Sequence, residues 1–108
     1  MSDFRQTALD YAHQNSEAFL KSLQDLVKIP SVSTSADHVK DIQETAEFLA
    51  ERLRKLGFTN VELFPTAGHP VVFGEYRVNQ PGRKTVLIYG HYDVQPAEPL
   101  DLWKTPPF

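Results

Sequence analysis

The run Val86-Leu87-Ile88-Tyr89, followed at once by Gly90-His91-Tyr92-Asp93, constrains the fold more than any other part of the chain. Four successive apolar residues leave no polar face, so the segment reads as a central strand buried on both sides. Such a strand needs cover above and below, which points to an α/β sheet. Gly90 lets the backbone turn sharply where that strand ends. In open α/β sheets the crevice beyond the carboxyl ends of the strands is where ligands and catalytic groups gather.

The elements around this strand follow from spacing. Residues 1–28 read as two short helices or one bent one, with Ser2 and Ser16 as caps and Phe19, Leu20, Leu23, Leu26 and Val27 as the stripe of the second. Pro30 ends that pattern, and Ile29-Pro30-Ser31-Val32-Ser33-Thr34-Ser35 is a loop by composition. Val39, Ile42, Ala46, Leu49, Leu53 and Leu56 then recur at helical spacing and mark one continuous face. Arg52, Arg54 and Lys55 sit where positive charge favours a carbonyl end, and Gly57 closes the helix.

Three strand-like runs come next, Thr59 to Phe64, Val71 to Val78 and Thr85 to Tyr89, separated by Pro65-Thr66-Ala67-Gly68 and Asn79-Gln80-Pro81-Gly82. The short second connection predicts an antiparallel pair between Val71 to Val78 and the run from Thr85. Beyond Gln95 the density of proline forbids a regular element, and the chain finishes on a loop carrying Trp103 and Phe108. Two large aromatics at such an end are expected of a chain cut in mid-domain. At 108 residues there is room for one core.

His91 and Asp93 carry the chemistry. Residues i and i+2 of an extended segment share a side, so both can face one cavity while Tyr92 points away. A neutral imidazole can bind a metal through one nitrogen while its other N–H donates to a carboxylate, which fixes the tautomer. The plain alternative is a strand-end histidine hydrogen-bonded to a neighbouring aspartate, and the spacing alone leaves both open. With no cysteine, any metal site must be of imidazole and carboxylate type. His13, His38 and His69 lack a carboxylate at comparable spacing and read as solvated. Trp103 and Phe108 read as packing, and Glu98 and Asp101 are ligands by chemistry alone.

Composition narrows the function classes. An apolar fraction of 41% and a charged fraction of 23% are those of a folded globular protein. Eleven basic residues, scattered within a net charge of -3, give no phosphate-tracking surface, so nucleic acid is excluded as a partner. No run approaches the roughly 20 apolar residues that span a bilayer. The start Met1-Ser2-Asp3-Phe4-Arg5 lacks the basic flank and apolar stretch of a signal peptide. No membrane partner and a cytoplasmic location are therefore expected.

Ile29-Pro30-Ser31-Val32-Ser33 after an amphipathic helix, the helix ending at Leu56-Gly57-Phe58, and Tyr89-Gly90-His91-Tyr92-Asp93-Val94-Gln95-Pro96 followed by Trp103 and Pro107-Phe108 resemble, in order, the amino-terminal part of the M20 family of zinc metallopeptidases. The Gly-His-x-Asp-Val-Gln-Pro form is most similar to the dipeptidase branch, which includes carnosinase-like and nonspecific dipeptidases. The resemblance implies a partial three-layer α/β/α catalytic domain with a mixed sheet, residues 1–108 forming its amino-terminal portion. His91 matches the family's first zinc ligand, and Asp93 the catalytic-site aspartate that holds that imidazole. It also implies two Zn2+ ions, a small peptide substrate and a homodimer for the intact protein. The bridging aspartate, the glutamate base, the other ligands and the dimerisation domain all fall beyond Phe108. The 108 residues alone are accordingly expected to be inactive, to bind few or no metal ions, and to self-associate through an unpaired sheet edge.

Two alternatives accompany that reading. One is a naturally short, noncatalytic α/β module for binding or assembly. The other is an acyl-amino-acid deacylase of the same family. A metallo-β-lactamase-like site would want a second histidine near the first, where Tyr92 and Val94 stand instead.

Overall fold

A computed structural model describes residues 3–108. Helices α1 (Phe4–Gln14), α2 (Ser16–Val27) and α3 (Val39–Lys55) precede strands β1 (Thr59–Phe64) and β2 (Val71–Glu75). The strands form an antiparallel hairpin, with Glu62 opposite Phe73, Leu63 opposite Val72 and Phe64 opposite Val71. The chain is thus of α/β class, with α3 laid across one face of the hairpin. No helix among the described residues is long and apolar enough to cross a membrane.

The first two helices begin differently from the sequence expectation. Asp3 caps α1, its carboxylate accepting from the backbone N–H groups of Arg5 and Gln6 at 3.0 and 3.3 Å. Ser2, the expected cap, lies outside the described residues. Asn15 occupies the cap position of α2 without a side-chain capping bond, its Nδ2 donating back to the Tyr11 carbonyl instead, and Ser16 is already helical. The stripe on α2 forms as an apolar face but stays largely uncovered, since Phe19, Leu20, Leu23 and Val27 are all exposed and only Leu26 is half-buried.

The core is the contact between α3 and its surroundings. Ile42, Ala46 and Ala50 are fully buried, and Thr45 joins them with its hydroxyl donating to the Asp41 carbonyl at 2.7 Å. That back-bond satisfies a polar group that would otherwise be costly in the interior. Of the expected face, Leu49 and Leu53 are half-buried, while Val39 and Leu56 are exposed at its two ends. The helix stops as its sequence dictates. Gly57 adopts φ +88°, its N–H bonds the Arg54 carbonyl, and the Phe58 N–H reaches back to Leu53, a Schellman arrangement.

Close packing explains the glycine inside β2. A Cβ on Gly74 would lie 3.1 Å from Leu53 Cδ1 and 3.4 Å from both Phe58 Cδ1 and Val61 Cγ2. Helix α3 therefore rests almost directly on the strand backbone. On the opposite face Phe64 and Phe73 meet edge to face at 5.8 Å and remain exposed with Val71.

The third expected strand does not form. Residues 85–89 pair with nothing among the described residues, β2 ends at Glu75 rather than Val78, and Val86, Leu87, Ile88 and Tyr89 are 79 to 89% exposed. The antiparallel pair expected between Val71 to Val78 and the run from Thr85 is therefore absent. A strand without polar residues owes its stability to neighbours on its edges and layers on its faces, and the described residues supply neither. The chain re-enters the fold over residues 92–94, where Val94 forms a parallel bridge with Val32.

Candidate functional site

The loop after α2 holds the end of the apolar run. Ser31 and Val32 are buried, the Val94 N–H donates to the Ser31 carbonyl at 3.0 Å, and the Ser31 hydroxyl donates to the Tyr92 carbonyl at 3.0 Å. Pro30 ends the helical pattern, leaving extended residues whose backbone groups are free to take these partners. From the other side the Tyr92 hydroxyl donates to the Pro70 carbonyl at 2.6 Å. Burial, then the charge of Asp93, pushes that phenol above its ordinary value. Residues 92–94 are thus fixed on both flanks, with Tyr92 directed at the connection before β2.

His91 and Asp93 meet as their spacing predicts. His91 Nδ1 lies 2.9 Å from Asp93 Oδ1, and the Ser33 hydroxyl donates to the other carboxylate oxygen, Oδ2, at 2.6 Å. The Ser33 bond, followed by that of His91, holds the Asp93 carboxyl below the ordinary carboxylate range. A neutral His91 ring that donates from Nδ1 keeps its lone pair on Nε2. Its side chain is 78% exposed, so that nitrogen is open to an incoming group.

Sequence reasoning missed two members of this cluster. His69, read as solvated, is half-buried and its Nε2–H donates to the Ser33 carbonyl at 2.8 Å. Ser33, read only as loop, touches Asp93 with its side chain and His69 with its backbone. Neither carries a local signal, because the partners lie 60 and 36 residues away in sequence. His38 is also partnered, with Nδ1 2.7 Å from Asp41 Oδ2 one helical turn on. His13 is exposed, as expected.

Ser33, His69, His91 and Asp93 border a groove of about 890 Å3. Its walls are Leu49, Leu53 and Leu56 of α3, residues 71–73 of β2 and the run from Leu87. A second cleft, of about 440 Å3, lies between Val32, His38, Leu100 and Phe108. Phe108 borders that cleft but stays exposed, and Trp103, also exposed, donates from Nε1 to the Ala97 carbonyl at 2.8 Å, so neither packs into a core, against expectation. Neither Glu98 nor Asp101 borders the larger groove.

The donor set fits one metal ligand with its supporting carboxylate. Among the described residues no three His, Cys, Asp or Glu side chains converge as a metal-binding group, and three or four protein ligands are what a zinc site needs. His91, with Asp93 behind it, could hold a metal only together with ligands from elsewhere.

No protein-family model matches the chain. Among curated proteins it is 38% identical to the Cys-Gly metallodipeptidase DUG1 of Candida albicans, over 95% of this chain and 24% of the relative. It is 34% identical to the Cys-Gly metallodipeptidase DUG1 of Saccharomyces cerevisiae, over 83% of this chain and 21% of the relative. The solved structure of the dipeptidase Dug1p from Saccharomyces cerevisiae superposes with a TM-score of 0.83 at 29% identity, covering 98% of this chain and 24% of that one. The chain spans about a quarter of the length of the relatives it matches.

Proposed function

We propose that this chain, which corresponds to the amino-terminal part of an M20-family metallodipeptidase, supplies one metal ligand and its orienting carboxylate to a peptidase centre. His91 is the ligand through Nε2, and Asp93 is the group that keeps the proton on Nδ1. The observation that carries this reading is the 2.9 Å contact between His91 Nδ1 and Asp93 Oδ1 at an open groove. That the relatives are metallodipeptidases supports a metal and a peptide substrate.

The finer reading is a zinc-dependent hydrolase that cleaves dipeptide-like amide bonds in the cytoplasm as a homodimer, residues 1–108 forming the front of its catalytic domain. Zinc suits imidazole and carboxylate donors, and when bound it supplies a polarised carbonyl and an acidified water. This chain's residues have narrower tasks. Asp93 holds the imidazole in one tautomer and orientation, and leaves its Nε2 exposed at the groove. Among the described residues no three metal-ligating side chains come together, and the 108 residues by themselves are expected to hydrolyse nothing.

Substitution in the intact protein tests the assignment. His91→Ala is expected to abolish dipeptide hydrolysis, and Asp93→Asn to lower activity or metal affinity by about 10–100-fold. Unchanged turnover in both variants sinks the reading. Hydrolysis of acyl-amino acids with no turnover of dipeptides would move the protein to the deacylase branch.

A further inference from the structure

We propose that Ser33 is a positioning residue for His91, acting through Asp93. The inference rests on His91 being a metal ligand, and it assigns to the loop after α2 a part in setting that ligand's geometry. A carboxylate with one neighbour can rotate about its terminal torsion, which is broad and soft. Asp93 has two neighbours of different kinds, the Ser33 hydroxyl on Oδ2 at 2.6 Å and the His91 ring on Oδ1 at 2.9 Å. With Oδ2 engaged by Ser33, Oδ1 is presented to Nδ1 of His91, and the lone pair is left on Nε2.

Ser33 is itself held from three sides. The Val94 N–H bond to the Ser31 carbonyl, the parallel pairing of Val32 with Val94 and the Ser31 hydroxyl bond to Tyr92 fix the strand beside it. His69 Nε2 donates to the Ser33 carbonyl at 2.8 Å and fixes its peptide. The hydroxyl thus starts from a braced backbone, which is what a supporting group needs in order to orient a ligand. Among the described residues the exposed His91 ring has no hydrogen-bond partner besides Asp93. Its orientation therefore passes through that carboxylate alone.

Ring nitrogen NMR on the metal-free intact protein, at a pH where the imidazoles are neutral, reads the tautomers of His91 and His69 separately. Wild type is expected to show His91 protonated on Nδ1 and His69 on Nε2. Ser33→Ala should convert His91 to a mixture while leaving His69 unchanged, because the backbone carbonyl that His69 uses is retained. Ser33→Thr, which keeps the hydroxyl, should restore the single tautomer. In the intact protein, Ser33→Ala should weaken metal binding about tenfold by direct titration, with Ser33→Thr restoring it.

An unaltered His91 tautomer in Ser33→Ala overturns the proposal, and so does a change at both histidines, which would mean that the loop had moved. If the alanine variant does not fold, Ser33→Cys keeps similar volume with a weak donor and carries the same tautomer comparison. His91→Ala separates the two layers of inference. Intact metal binding in that variant sinks the ligand assignment itself, whereas its loss beside an unaffected Ser33→Ala sinks only the role of Ser33.

Discussion

Glu75, the last residue of β2, shows how a single side chain couples the hairpin to pH. Its carboxylate accepts from Arg77 at 3.1 Å and from Asn60 Nδ2 at 2.7 Å. The Arg77 bonds, then that of Asn60, hold its titration below the ordinary value. A carboxyl depressed in the folded state stabilises that state above its unfolded value, and the contribution fades as pH falls through the folded one. Glu75→Gln is therefore expected to lower the melting temperature at neutral pH and flatten its decline in acid, followed by circular dichroism. Parallel melting curves for variant and wild type down to acid pH would refute this. At the same scale, His91 and Asp93 were legible in the sequence because their geometry follows from two-residue spacing in an extended segment. Ser33 and His69 were not, since a hydroxyl in a serine-rich loop looks the same whether or not a carboxylate reaches it from a distant strand.

Elements divide along the same line between local and distant causes. Helix α3 could be read from its apolar period, its basic last turn and Gly57, all contained within its own residues. Gly74 could not be interpreted from sequence, because its reason is the approach of Leu53 from α3. Gly74→Val is expected to destabilise the fold by about 1–3 kcal/mol through overpacking. Gly68→Ala, whose added Cβ meets nothing closer than 3.8 Å, should be neutral by comparison in a urea melt. Equal midpoints for the two variants would mean that α3 does not press on β2. The apolar run 86–89 was read correctly for composition and wrongly for pairing, since a strand's partners are set by residues outside it.

As a whole the chain is extended, 56 × 35 × 19 Å with a radius of gyration of 17.3 Å, where a compact domain of this length has about 13 Å. Helices α1 and α2 contact each other more than they contact the α3 and hairpin unit, and the apolar run stands out from it. Four exposed, uncharged, strand-prone residues are a template for pairing with another chain. The isolated 108 residues should therefore self-associate in light scattering, and Ile88→Lys should return them toward 12.3 kDa. A concentration-independent 12.3 kDa species for the unsubstituted chain would count against it. The bond from Ser33 to Asp93 spans 60 residues of sequence. Closing a loop of that length costs on the order of 4 kcal/mol in chain entropy, so this contact forms only after α3 and the hairpin have shortened the path. The placement of His91 beside Asp93 is in this sense expected to come late in folding. That geometry is expected to be lost at an early local opening, while the helix that carries the core still stands.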